Sequence, residues 1–374
     1  MLVVKEVVNR KMQRDFLNFP LKLYKNNKYF VPPIYADEKT IFTKKNIYHE
    51  TCENAFFNAY LDGKMVGRIN AFIQNQSNEK NGTKRARFTR FDAINDVKVA
   101  KALFHAAEQW AQSKGMDTVC GPLGYSDMER EGLLIEGFDY LSTFEEQYNY
   151  DYYQSLIEAC GYEKEVDWVE YRLFTPKEKN AKLQRLSDHV LERNKLNLGK
   201  TFKNKSAFID HYKDQIFDLL DETYKKLYGT VPFTEKMKNQ MIMQFKLILD
   251  LRYIGVVCDE NDRVIAFGLT FPAIGEALQK RGGKLTIGTL IRLLKIIKKP
   301  KSLDFGLIGV LPEYQGTGVN AILLNSMINS MIDSNVQYAE TNLNLEDNEK
   351  VQSQWKFFEH IMHKRRRSFV KKII

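Results

Sequence analysis

Residues 307–328 read "LIGVLPEYQGTGVNAILLNSMI". A short apolar run ends at Val310, Pro312 stops any strand there, and two glycines sit one residue apart at Gly316 and Gly318. An apolar-rich segment with helical character then begins near Val319. The order is strand, glycine loop, helix. Such a loop leaves backbone N–H groups unpaired at the positive end of a helix dipole, an arrangement suited to phosphate or pyrophosphate. Glycine lets the ligand approach without a Cβ in the way.

Two familiar phosphate loops fit poorly. Residues 316–321, "GTGVNA", match the GxGxxA dinucleotide fingerprint, with Glu340 downstream as a candidate ribose ligand. In that fold, however, the first glycine follows the strand directly, whereas "LPEYQ" intervenes here, and further parallel strand–helix units are missing. A P-loop needs Gly-Lys-Ser or Gly-Lys-Thr, which the segment lacks.

Working outward, the loop belongs to the second of two similar halves. "NAFFNAYLDGKMVGRINAFI" (54–73) is a hairpin about an Asp62–Gly63 turn, and "RYIGVVCDENDRVIAFGLTF" (252–271) is its counterpart. Helix-then-strand patterns follow at 97–123 and 319–345. Each half closes on an aromatic-rich helix and a last strand, at 151–174 and 351–373. A charged, helix-prone connector begins after Thr175–Pro176, so the expected domains are 1–176 and 177–374. One insertion, residues 278–303, is confined to the second half. A hairpin before a single strand–helix–strand passage predicts an α/β (α+β) fold with a mixed sheet and helices on both faces.

The chain has 374 residues with 44% hydrophobic and 28% charged residues, the composition of a globular protein of two domains. No apolar run is long enough to span a bilayer, the N-terminus lacks a secretory layout, and Cys52, Cys120, Cys160 and Cys258 show no metal-finger spacing. A cytoplasmic protein without a structural metal is expected. The net charge of +9 attracts anions in general. Residues 278–303 carry eight Lys or Arg and no acid. Within them Ile287, Leu290, Ile291, Leu294 and Ile297 follow helical spacing, with Arg292, Lys295 and Lys299 on another face. The plainest expectation is a helix that packs its apolar face on the domain and solvates its basic edge. A lid over substrate, or an anionic membrane surface met by 286–301, is the alternative.

The stretch "GVLPEYQGTGVNAILL" (309–324) resembles the acetyl-CoA loop of the GNAT superfamily of N-acyltransferases, Gln/Arg-x-x-Gly-x-Gly/Ala after a V-x-P strand end. Gln315, Gly316 and Gly318 match, while Asn320 replaces the usual Gly or Ala. The element order of both halves extends the resemblance to a tandem of two GNAT-like domains. It implies acyl transfer, usually acetyl, from an acyl-CoA co-substrate to an amine. Backbone at Val310 and Leu311 would bond the pantetheine arm, and amides of Gln315, Gly316, Thr317, Gly318, Val319 and Asn320 would hold the pyrophosphate. Asn348, starting the next helix, would bond the cofactor's linker.

The tyrosine acid common in that pattern falls at Trp355, whose indole is no useful acid. Asp304, Tyr338 and Glu340 offer candidate bases. "YGTVPF" (228–233) would border the acceptor. The corresponding place in the first half, "FTRFDAINDVKVAKALF", has no glycine and places Asp92 and Asp96 where phosphate would lie, so that half is expected to bind no CoA. His360 and His363 are spaced to share a helix face but lack a third ligand, so no metal is expected. Two other readings remain at this point: a non-catalytic CoA-binding protein, and a Fem-type transferase fed by aminoacyl-tRNA. The intact pyrophosphate loop argues against the latter, and nucleic acid is not an expected partner.

Overall fold

The computed structural model describes residues 1–373. The first stretch of chain forms β1 (Leu2–Glu6), α1 (Arg10–Leu23), α2 (Tyr35–Glu38), β2 (Cys52–Leu61), β3 (Lys64–Gln74) and α3 (Asn75–Asn81). It continues through β4 (Arg85–Ala93), α4 (Val97–Ser113), β5 (Thr118–Gly121), β6 (Leu133–Glu136), α5 (Tyr153–Glu158) and β7 (Glu163–Phe174). The remainder begins with α6 (Ala181–Arg193), β8 (Asn197–Leu198), α7 (Lys205–Tyr224), α8 (Glu235–Ile248), β9 (Ile254–Cys258) and β10 (Val264–Pro272). Then come α9 (Gly275–Gln279), α10 (Ile287–Lys298), β11 (Ser302–Val310) and α11 (Val319–Asp333). The chain ends with β12 (Tyr338–Glu340), β13 (Asn344–Leu345), α12 (Glu349–Gln352) and β14 (Glu359–Lys372).

These elements form two compact units. The first comprises Met1–Val169, Gly275–Thr289 and the chain from His363; the second comprises Glu170–Ile274 and Leu290–Met362. In the first, β1, β2, β3 and β4 pair antiparallel in sequence, β4 runs parallel to β5, and β5 pairs antiparallel with β14. The second repeats this order: β8, β9, β10 and β11 pair antiparallel, β11 is parallel to β12, and β12 pairs antiparallel with β7. The internal repeat is therefore present strand for strand.

The division differs from a single cut at residue 176 in three segments. Each unit takes its final strand from the other half of the sequence. Phe369 faces Gly121 in the first unit, and Tyr338 faces Phe174 in the second. The insertion is also divided, its leading part lying with the first unit. There the Gln279 amide donates to the carbonyls of Lys28 and Phe30 at 2.9 Å each. Gly283 lies so close to Pro33 that a Cβ would overlap its carbonyl oxygen.

Local chemistry accounts for the elements. Asp62 and Gly63 take φ of 49° and 79°, the left-handed pair that a two-residue hairpin needs. Helix α4 buries Val99, Ala100, Leu103, Phe104, Ala107 and Ala111 on one face. Helix α11 is apolar on more than one face because strands of its unit lie on one side and α6 packs on another. The segment around Trp355 differs from expectation. Instead of a long helix it forms the short α12 and a 3-10 turn, and β14 already begins at Glu359. His360 and His363 consequently lie on a strand, where an odd spacing sends them to opposite faces.

Candidate acyl-CoA site

The second unit brings together the glycine loop, the C-terminal half of β11 and the end of β12. Helix α11 starts with Gly318 as its N-cap at φ 95°, with no side chain capping it. Gly316 also has positive φ, 79°, with open space where a Cβ would point. A Cβ on Gly318 would lie 2.9 Å from a Val190 methyl, so close packing against α6 and the left-handed backbone both require glycine. Of the six amides expected to be open, two are not. Gln315 N–H donates to Pro312 at 3.2 Å and Thr317 N–H to Tyr314 at 3.3 Å, tightening the turn before the helix. The amides of Gly316, Gly318, Val319 and Asn320 find no acceptor among the described residues. Glu313, the acid nearest in sequence to this nest, is ion-paired with Arg263 at 3.0 Å.

The corresponding place in the first unit is closed by the chain's own carboxylates. Asp96 caps α4, accepting from Lys98 N–H at 2.8 Å. Asp92 is buried against Arg68 at 2.8 Å and accepts from the Tyr24 hydroxyl at 3.0 Å. Burial pushes the Asp92 carboxyl above its usual range, while Arg68 and the hydroxyls oppose that shift. The expectation that Asp92 would face a phosphate is corrected: its charge is compensated internally, and Asp96 is what occupies the helix start.

Strands β11 and β12 pair only over Ser302–Asp304 and Tyr338–Glu340 and then separate. Beyond that point β11 keeps β10 on one side, with Leu311 N–H donating to Ile265 at 3.0 Å. The Leu311 amide therefore faces β10 and is not open to a ligand, contrary to expectation. Alternate residues on an antiparallel strand direct their polar groups to the opposite edge. On that edge side chains cover them: Asn342 donates to Gly306 O at 3.0 Å and Gln315 Nε2 to Val310 O at 3.1 Å. The Tyr224 hydroxyl meets both Ile308 groups, donating to the carbonyl at 3.0 Å and accepting from N–H at 3.2 Å. Sequence reasoning missed Tyr224 and Asn342. Asn342, just past the end of β12, had a positional signal, whereas nothing local marks a tyrosine on α7.

The three candidate bases lie on one face. Asp304 and Glu340 are direct neighbours across the parallel pair, and Tyr338 lies two residues from Glu340. Glu340 is held by Arg172, whose Nε donates to Oε1 at 3.1 Å and whose guanidinium stacks over Tyr338 at 4.3 Å. Asp304 is 3% exposed, and Phe271 across from it on β10 meets Phe245 of α8. "YGTVPF" forms the turn between α7 and α8, tied by Phe233 N–H to Asp221 at 3.2 Å.

Trp355 packs edge-on against Phe305 at 5.3 Å within the second unit's core. Its indole N–H is buried and has no hydrogen-bond partner among the described residues. Asn348 starts α12 as expected and caps it through Val351 N–H at 3.3 Å. The described residues contain no group of three or more His, Cys, Asp or Glu poised around a metal, and the four cysteines are buried and free.

No family model matches the chain. Protein YghO of Escherichia coli is 28% identical over 341 residues, covering 88% of this chain and 84% of its own. Bacterial ceramide synthase of Caulobacter vibrioides is 25% identical over 309 residues, covering 81% and 78%. Among solved structures, a tandem GNAT protein from the clavulanic acid biosynthesis pathway superposes with a TM-score of 0.57 at 12% identity, over 100% of this chain and 99% of its own. The chain has the tandem GNAT fold.

Proposed function

We propose that the second unit binds an acyl-CoA and transfers its acyl group to an amine. The observation that carries this reading is the continuity of two features: four open amides at the start of α11, and a β11 edge whose polar groups are met only by side chains. The amides suit the pyrophosphate. The edge suits an extended amide-bearing arm, which adds to β11 as a strand would, displacing Tyr224, Asn342 and Gln315. From Asp304 to Val310 the strand runs about 20 Å, so the arm leads from the glycine loop toward the buried carboxylates.

In the reaction the amine nitrogen attacks the thioester carbonyl, a C–N bond forms and the C–S bond breaks. The nitrogen loses a proton, and the thiolate leaves or is protonated. Asp304, buried directly across the parallel pair from Glu340, is the candidate to take that proton. Trp355 supplies a hydrogen bond to the departing sulfur in place of an acid, since its buried N–H has nothing else to meet. The first unit, with its helix start capped by Asp96, binds no CoA.

The relative named for ceramide synthesis directs the acceptor toward an amine carried on a long-chain amphiphile, and the donor toward a long acyl chain in place of acetyl. We place the reaction in the cytoplasm. A thiol-release assay tests this, crossing acetyl-, octanoyl- and palmitoyl-CoA with a long-chain amino alcohol, a polyamine and an amino sugar. Amine-dependent release with the amino alcohol is expected. Release with only the polyamine or sugar would overturn the acceptor class, and CoA binding without release under any pairing would leave a binding protein.

A further inference from the structure

Helix α10 is turned the wrong way round for a soluble surface. Thr289 and Leu293 are 0% and 1% exposed and face inward. The Thr289 hydroxyl is tied to Lys284 O at 2.9 Å, and Arg252 donates to Ile297 O at 3.3 Å near the far end. The opposite side presents Ile287, Leu290, Ile291 and Leu294 at 79, 37, 50 and 62% exposure. At 100° per residue these four lie along one stripe, spaced i, i+3, i+4 and i+7. The packing expected from periodicity is thus reversed, with the apolar face outward.

The segment that carries this face is basic, and Asp250 near its far end is paired with Arg252 at 2.7 Å. Lys298 continues the stripe, and Lys295 and Lys299 lie along one side of it. Lys280, Arg281, Lys284 and Lys301 bracket the helix, and no acid occurs between Glu276 and Asp304. An apolar stripe bordered by long cationic side chains matches a bilayer interface. The aliphatic groups enter among the acyl chains, while ammonium groups rise to anionic headgroups. We propose that α10 lays this face onto an anionic membrane surface and holds the protein there as a peripheral protein. The inference does not rest on the acyl-transfer reading, because it concerns adsorption alone.

Flotation of the full chain with vesicles of equal parts phosphatidylglycerol and phosphatidylcholine tests it. The variants are Ile291→Asn/Leu294→Asn, whose sites are already in water and should leave the melting curve unchanged, and Lys295→Glu/Lys298→Glu. Intact protein should float at low salt and bind pure phosphatidylcholine vesicles far less. Either double variant should lose about tenfold or more in partitioning. Failure of the intact protein to float, or flotation equal in the apolar variant, overturns the proposal. A concentration-dependent dimer that disappears in Ile291→Asn/Leu294→Asn without any vesicle binding also overturns it and makes the stripe a face for a second copy.

Discussion

At the scale of the residue, the proposed function gives Trp355 the part of a hydrogen-bond donor to the leaving sulfur, on the strength of its unpartnered buried N–H. A buried N–H without a partner costs stability, so a site that keeps one has a use for it when occupied. Trp355→Phe keeps an aromatic ring against Phe305 but removes the N–H together with part of the indole, leaving a small cavity in the core. The thermal midpoint should fall by a few degrees from the lost packing, with the variant still folded at assay temperature. In steady-state kinetics kcat should fall about tenfold with KM little changed, as for an interaction made chiefly in the transition state. An unchanged kcat would remove Trp355 from the mechanism. At this scale the sequence was informative about Gly316 and Gly318 and misleading about Leu311 and Asp92. Glycine betrays a backbone requirement by itself, whereas the direction of an amide, or the partner of a carboxylate, depends on strands distant in sequence.

At the scale of the element, strand β11 presents an edge whose polar groups are met by side chains, the edge to which the proposed function adds the cofactor's arm. The Tyr224 hydroxyl holds both polar groups of Ile308. Tyr224→Phe strands that pair and should destabilise the free protein by about 1 kcal/mol in urea unfolding. Because CoA would satisfy the same groups, the stabilisation gained on adding CoA should be larger in the variant than in the parent. An equal gain would mean that the arm does not use this edge. Helix α10 shows the limit of periodicity. The spacing of Ile287, Leu290, Ile291 and Leu294 defines a face but not the side on which the core lies. Burying a Leu or Ile is worth about 1.5–3 kcal/mol, so burial was the natural expectation, and its reversal is the informative result.

At the scale of the whole molecule, the repeat, the hairpins and the fold class were legible because they depend on local patterns. The exchange of final strands was not. Residues 369–372 pair with 118–121 across most of the chain length, and the last strand legible in "HKRRRSF" carries no sign of which half it joins. Those partners include Asp167, which accepts from Arg367 at 2.7 and 2.9 Å within the first unit. Burial raises the Asp167 carboxyl, but Arg367 and Lys164 outweigh it and hold the pKa below the usual range. A depressed carboxylate contributes stability above its unfolded pKa and loses it as pH falls through the folded value. Asp167→Asn should therefore cost about 2–3 kcal/mol near neutrality, with the difference from parent shrinking below about pH 4. A penalty independent of pH would show that packing, not charge, is what the substitution removes.

The proposed acyl transfer requires that the open amides at the start of α11 hold the diphosphate of CoA. Calorimetric titration of CoA into the parent, Gly316→Asn and Gly316→Asp addresses it directly. Both substituents tolerate the left-handed backbone, and they differ essentially in charge. The parent should bind, Asn should follow it within about threefold, and Asp should weaken binding about tenfold or more through repulsion of the phosphates. Equal affinity for the Asp and Asn variants, or no CoA binding by the parent, would contradict the account.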